Sequence, residues 1–271
     1  MSVVVAKDLL GEALEECYLS TEAFCRTFLP ETFDVPFSDL HRQMFECLER
    51  PGQRKLILAP RGIGKTSIIK ALIIRAILYM EKRFIVYISN SLTLAEMQTE
   101  NIKDELVGNE LIRKLYPSIH TSIENPERDP DESFSKKAWV AFGQTLVLPR
   151  GMGQQVRGLN WRGYRPDLIV LDDPEDEKEL RNEEIRKANK KWFFGTLLKC
   201  VSLVRRDWHI YYIDTLKHQD ALPVHLKDVG NWDSLTLSIC NPQYQTLAPE
   251  FMPQPDLDAM IEEHRLAGTM D

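Results

Sequence analysis

The residues with the most chemical content sit in one short turn. The stretch "LILAPRGIGKTSIIKALIIRAILYM", residues 56 to 80, reads as a buried strand, a glycine-bearing turn and a helix. Its spacing, Ala59-x4-Gly64-Lys65-Thr66, fits a phosphate-cradling loop with alanine in the first position. Gly62 and Gly64 let the backbone turn with its N–H groups facing inward, where side chains would obstruct. The helix start adds partial positive charge toward the same phosphates. Pro60, Arg61, Gly62, Ile63, Gly64, Lys65, Thr66 and Ser67 therefore form the expected cradle for ATP. Lys65 reaches the β- and γ-phosphates, and the Thr66 hydroxyl suits Mg²⁺. Arg61 is an extra positive charge inside the loop.

A cradle that hydrolyses needs a carboxylate to order the metal and another group to orient water. "DLIVLDDPEDE", 167 to 177, supplies both. Leu168 to Leu171 form a buried strand, and Asp172-Asp173 emerge at its C-terminal end, where ligands bind in open parallel sheets. Asp172 is assigned to Mg²⁺. Asp173 is assigned to the water, with Glu175 as its rival because glutamate reaches farther. Asp176 and Glu177 suit an ordinary acidic loop. A third strand, "WHIYYID", runs into Thr215, which is a γ-phosphate sensor, a cap for the helix "QDALPVHLK", or a plain turn residue.

The elements around these strand ends alternate. "KLILAP" and "RFIVYIS" read as buried strands, and "SLTLAEMQTENIKDELVGN" as a helix. "AWVAF" and "TLVLP" read as a hairpin turned at Gly143-Gln144, and "SLTLSI" as a last strand. "NEEIRKANKKWFFGTLLK" reads as a helix. The first fifty residues read as helices, with Ser38 or Asp39 capping "LHRQMFECLE". Residues 117 to 137 are polar and proline-bearing, the composition of a long mobile loop. Short apolar strands alternating with helices predict an α/β fold with a mostly parallel sheet covered on both faces.

Composition agrees. The 271 residues are 43% hydrophobic and 28% charged, with no apolar run long enough to span a membrane. Five cysteines without CxxC spacing read as buried thiols rather than a disulfide frame or a zinc site. The net charge of −7 excludes a chain coated in basic residues. A local surplus remains: Arg150 to Arg206 hold 13 Lys plus Arg against 9 Asp plus Glu.

With the three strand ends in register, the chain resembles the ATPase domain of the large terminase subunit of tailed bacteriophages, from about Phe37 to Glu250. "APRGIGKTS" resembles the family's Walker A, including its arginine, and "QQVRGLNWRGYRPDLIVLDDPED" its Walker B region. "YYIDTLKHQDAL" resembles its coupling motif, with Asp214 where glycine is usual and with His218 and Asp220 trailing. The resemblance implies an ASCE/RecA-like P-loop NTPase fold and an ATP- and Mg²⁺-dependent motor that drives double-stranded DNA into a procapsid. It implies Gln43 near the adenine and Thr215 as the coupling residue. Arg157 becomes the finger inserted by a neighbouring subunit, with Arg61 as the finger in cis and Arg162 and Arg165 as lesser candidates. The implied partners are DNA, a ring of further copies such as a pentamer on the portal protein, and the small terminase subunit. The implied location is the host cytoplasm, transiently at the portal vertex. Residues 1–50 are read as a helical N-terminal segment, 51–240 as the NTPase core and 241–271 as a linker toward a nuclease domain absent from this sequence. A DEAD-like helicase and a nucleotide-gated loader are the alternatives. The helix "RKANKK" is a plausible DNA grip or plain solvated surface.

Overall fold

A computed structural model describes residues 3–118 and 138–268. Three helices open the chain: α1 (Val3–Leu19), α2 (Thr21–Phe28) and α3 (Asp39–Glu49). Then follow β1 (Arg54–Leu58), α4 (Lys65–Leu78), β2 (Phe84–Ser89), α5 (Leu92–Gly108) and α6 (Glu110–Leu115). The hairpin is β3 (Trp139–Ala141) and β4 (Thr145–Gly151). The remaining elements are β5 (Leu168–Asp172), α7 (Glu183–Gly195), β6 (His209–Asp214), α8 (Leu222–Asp228), β7 (Asp233–Thr236) and α9 (Gln254–Ala267). The loop expected over 117–137 lies, from residue 119 onward, outside the described residues.

The sheet has seven strands in the order β3-β4-β2-β5-β6-β1-β7. All neighbours are parallel except β3 and β4, whose turn closes with Ala141 opposite Thr145. The α/β expectation therefore holds, with the antiparallel strand at an edge. Strand pleating splits the apolar residues by parity. Ile57, Ile85, Tyr87, Val147, Val170 and Ile213 pack toward α2, α3, α4 and α5. Leu56, Leu58, Val86, Leu148, Ile169 and Leu171 pack with Phe193, Leu197, Leu222 and Leu226 on the other face. Two faces covered by helices explain why these strands are continuously apolar in sequence.

Helix α4 is apolar nearly all round, from Ile68 to Leu78, because it lies between the sheet and other helices. Other helices start where hydroxyl or amide side chains accept their free N–H groups. Ser91 accepts from Leu94 N at 3.3 Å, and Asn182 accepts from Glu184 N at 2.8 Å. Ser38, not Asp39, is the N-cap of α3. The helix read over "NEEIRKANKKWFFGTLLK" stops at Gly195, and Leu197–Lys199 form a separate 3₁₀ turn. Four of the five cysteines are buried, and all five are free thiols.

The C-terminal end of β4 meets the start of α5 without a spacer. A Cβ on Gly151 would lie 2.8 Å from Leu92 N and 3.2 Å from Ser91 C, both backbone atoms of the α5 cap. Gly151→Ala is therefore expected to destabilise the fold by about 1–3 kcal/mol through overpacking against backbone that cannot move aside. Urea denaturation of the two proteins would measure this, and an unchanged midpoint would show that the cap yields.

Candidate active site

The strand order puts the chemistry together. β6 lies between β5 and β1, so the C-terminal ends of the three strands stand side by side. The loop after β1 passes through Gly62 (φ 83°) and Gly64 (φ 76°), left-handed conformations that favour glycine. Gly64 is the N-cap of α4, so the sequence-predicted cradle does lie at a helix N-terminus.

Lys65 is buried, and its ammonium is held by its own loop. Nζ donates to Ala59 O at 3.1 Å, to Pro60 O at 2.8 Å and to Thr215 Oγ1 at 2.8 Å. Burial lowers its pKa, against the pull of Asp173 and Asp214. Thr66 donates its hydroxyl to Asp172 Oδ2 at 2.9 Å, and Tyr87 donates to the same oxygen at 2.6 Å. Ser89 Oγ ties down the Asp172 carbonyl at 3.1 Å. The other carboxylate oxygen, Oδ1, is buried with no hydrogen-bond partner among the described residues. Burial raises the Asp172 pKa, while the two hydroxyls oppose that.

That orphaned oxygen, beside a threonine hydroxyl at the mouth of a phosphate cradle, fits a hard divalent cation. Mg²⁺ sites use one or two carboxylates and take their remaining ligands from water and substrate phosphates. Asp172 and Thr66 would hold the ion.

Asp173 adopts a left-handed backbone (φ 45°), uncommon outside glycine though tolerated by aspartate. Its N–H donates to Ile213 O, and its Oδ1 accepts from Thr215 N at 3.3 Å and faces Lys217 Nζ at 3.4 Å. Partial burial alone would raise its pKa. A hydrogen bond from Asp214 and the Lys217 and Lys65 cations outweigh that and hold it low. Asp214 shifts the opposite way, well above the carboxylate range, through burial and its bond to Asp173. The two carboxyls thus shift in opposite directions, as expected of two acids hydrogen-bonded to each other in a buried site. Lys217 sits 2.7 Å from Asp214 Oδ1 and donates to Glu175 O at 2.8 Å. Neither Asp214 nor Lys217 was singled out from the sequence as a charge in this site. Only the strand pairing brings them beside Asp173.

The other sequence candidates fall in different places. Glu175 is buried, with Oε1 accepting from Asn189 and Oε2 from Leu222 N at 2.9 Å, so it joins the loop after β5 to α7 and α8. Arg61 is exposed and turned to Glu177 at 2.6 Å. Glu177, read as ordinary acidic loop, is thus the partner of the extra arginine. Thr215 is no cap for α8, which begins at Leu222. Arg157 is exposed on the loop leaving β4, and Gln43 is exposed on α3. Arg162 donates to Gly143 O at the hairpin turn and Arg165 to Lys199 O, both at the opposite edge of the sheet.

Sequence reasoning missed His41. Its Nδ1 accepts from Ser38 N at 3.0 Å and meets Ser38 Oγ at 2.7 Å, closing the cap of α3. Nε2 then carries the proton and donates to Ile63 O in the cradle at 3.1 Å. His41 thus fastens the loop to α3 as a neutral ring, and burial lowers its pKa. The Ser38-x-x-His41 spacing resembles a capping box with histidine in place of the usual glutamate or glutamine, which is why it passed unnoticed. A lowered pKa stabilises the fold above the unfolded value near 6.5 and loses that contribution as pH falls through it. The stability difference between wild type and His41→Asn is expected to shrink between pH 7.5 and pH 5.5, measured by urea denaturation at about those two values. A constant difference would mean that folding does not lower the His41 pKa, so that its ring is not held neutral against the loop.

No family model matches the sequence, and neither does any curated protein. Solved structures do resemble it. The large terminase ATPase domain of Thermus phage P74-26 superposes with a TM-score of 0.53 at 11% identity, over 88% of this chain and 90% of that one. A point mutant of the same domain gives 0.54, also at 11% identity, over 88% and 91%. The Phi-28 gp11 DNA packaging motor gives 0.43 at 12% identity, over 83% of this chain and 65% of that one. The chain therefore has the fold seen in a phage large-terminase ATPase domain: a seven-stranded, mostly parallel sheet between helices, preceded by N-terminal helices.

Proposed function

We propose that the chain is an ATP-hydrolysing motor domain of a phage DNA-packaging terminase, acting on double-stranded DNA at a portal with further copies of itself and a small subunit. The observation that carries the reading is the Thr66–Asp172 contact of 2.9 Å beside Lys65, with Asp172 Oδ1 buried and unpartnered. The fold shared with a terminase ATPase domain supports the motor assignment. Mg²⁺, when bound, would neutralise phosphate charge and polarise the γ-phosphoryl oxygens.

In this reading the chain's own groups divide the work. Lys65 exchanges the carbonyls of Ala59 and Pro60 for phosphate oxygens, and in leaving Thr215 it releases the tip of β6. Asp173 orients the attacking water: its side chain is 39% exposed and its carboxyl is held ionised. Glu175, with both oxygens engaged, positions the loop instead. Arg157 of a neighbouring copy completes the site in trans. Arg61 reaches it in cis only by giving up Glu177. Gln43 contacts the base.

Lys65→Ala is expected to reduce ATP turnover on the order of 100-fold or more. Asp173→Asn should abolish turnover while nucleotide still binds, whereas Glu175→Gln should retain measurable turnover with a lower melting temperature. Equal loss of turnover in both carboxylate variants, with stability unchanged, would return Glu175 to the water-orienting role. Lys65→Ala and Arg157→Ala proteins assayed separately should be nearly inactive, since fingers of this kind contribute about 10³ to 10⁵ in rate. Mixing them should restore turnover. If wild type turns over independently of concentration and mixing restores nothing, the finger in trans is wrong.

A further inference from the structure

The basic surplus read from the sequence divides into two very different surfaces. On α7, where "RKANKK" suggested a grip, the cations are mostly engaged. Arg186 and Lys190 both pair with Asp220, at 2.8 Å and 2.7 Å, and His225 meets the same carboxylate at 2.8 Å. Lys187 pairs with Glu183 and Glu184. Hydrogen bonds from Lys190, Arg186 and His225 hold the Asp220 carboxyl well below the usual range. A polyanion approaching this helix meets charge already balanced.

The opposite edge of the sheet, where β2, β5 and β6 begin, differs. A cleft of about 700 Å³ opens there, lined by Arg83, Arg165 and Arg205 around Tyr164. Arg83 and Arg205 both stack on that ring, with guanidinium carbons 4.5 Å and 4.7 Å from its centre. Arg83 also donates to the Tyr164 hydroxyl at 2.6 Å. Arg162 lies over Trp161 nearby, and Arg206 is exposed next to Arg205. None of these five arginines has an ion-pair partner among the described residues. Of the acids lining the cleft, Asp167 spends both oxygens on Arg83 N and Phe84 N, leaving Glu81 and Asp207. Two like charges held against one ring repel each other, and the cost falls when an anion bridges them. The adjoining loop also exposes Leu203 (89%) and Val204 (92%), an aliphatic tip that solvent alone does not favour.

We propose that this edge, remote from the nucleotide cradle, is a binding surface for the phosphate backbone of duplex nucleic acid. Arg83, Arg165 and Arg205 contact phosphates, and the Leu203-Val204 tip faces the groove. Planar guanidiniums suit phosphate oxygens bidentately, and Tyr164 fixes the orientation of two of them. The contacts carry no base information, so binding is independent of sequence. The inference rests on the proposed function only for the identity of the polyanion.

The test is anisotropy of a fluorescent mixed-sequence DNA duplex against the full chain over a salt series. Arg205→Ala should reduce the slope of log affinity against log salt by about 0.9, and the Arg83/Arg165/Arg205 triple alanine variant by about 2 to 3. Leu203→Ser should weaken binding without changing the slope. Lys187→Ala should change neither. Arg205 lies on an exposed loop, so its variant keeps the test valid should the triple variant fail to fold. Duplex binding with an unaltered slope in Arg205→Ala overturns the proposal. So does a wild type that ignores DNA but binds polyglutamate through Arg205, which would make the edge an acidic-protein surface. ATP turnover is assayed on the same proteins. If only the slopes fail, the surface is wrong and the motor reading survives; if Lys65→Ala turns over like wild type, the motor reading falls.

Discussion

One buried carboxylate constrains the rest of the site. Asp172 ends a central strand at 3% exposure, and an ion taken so far out of water costs several kcal/mol. Two hydroxyls from different elements, Thr66 on α4 and Tyr87 on β2, meet one of its oxygens. Among the described residues, no hydrogen-bond partner meets the other. The arrangement needs β2 beside β5 for Tyr87 and the first turn of α4 within reach for Thr66. Both follow from the parallel order of the sheet. A carboxylate burdened in this way is relieved by a cation at its free oxygen, which is what supports the proposed role of Asp172 as a metal ligand.

A second set of charges is arranged around Lys217 and has different energetics. Asp173, Asp214 and the backbone of Glu175 share that ammonium, and the two carboxyls shift in opposite directions. Asp214 stands where the coupling motif of the resembling family has glycine. In exchange for backbone freedom the chain gains a buried carboxyl that hydrogen-bonds with Asp173 and, through Oδ1, accepts from Thr215 N at 2.7 Å. The turn after β6 is therefore held by charge where glycine would leave it loose. In the proposed cycle, Thr215 is the joint between this cluster and Lys65, so loss of the Lys65 bond frees a segment that is otherwise tied at its backbone.

Much of the fold was legible because its signals are local. Apolar runs of four or five residues marked β1, β2, β5 and β6, and the glycines of the turn after β1 marked the cradle. The positions of Lys65, Thr66 and Asp172 were legible for the same reason: Asp172 ends β5 where the apolar run stops, and Lys65 and Thr66 open α4 just after Gly64. What escaped depended on pairing between distant segments. Glu177 takes up Arg61 across 116 positions, and Lys217 reaches Asp173 across 44. His41 is one turn into α3, yet its second nitrogen serves Ile63, 22 residues on. Glu175 looked like a reaching side chain, but the distance between β5 and α8 decides that it spans them instead. Charge counting likewise found the basic surplus without its location, because neutralisation of α7 depends on Asp220, which lies beyond the counted window.

The two ends of β5 then make a mechanical argument. Asp167 at its start ties Arg83 and Phe84 to the strand, and Asp172 at its end faces the cradle. A five-residue strand at about 3.3 Å per residue separates them by roughly 16 Å of fully paired, doubly covered sheet. Such a core does not stretch, because packed interiors shift between discrete arrangements rather than deform continuously. Nucleotide state therefore cannot reach the far edge by bending β5. In the proposed motor, the parts that respond to nucleotide would lie at the cradle itself: Lys65, the turn after β6, and the loop tied by Glu175 to α7 and α8. In the proposed motor, the basic edge would move as a rigid extension of the sheet, and the stroke would be taken up between copies or between this sheet and the helices hinged at Glu175.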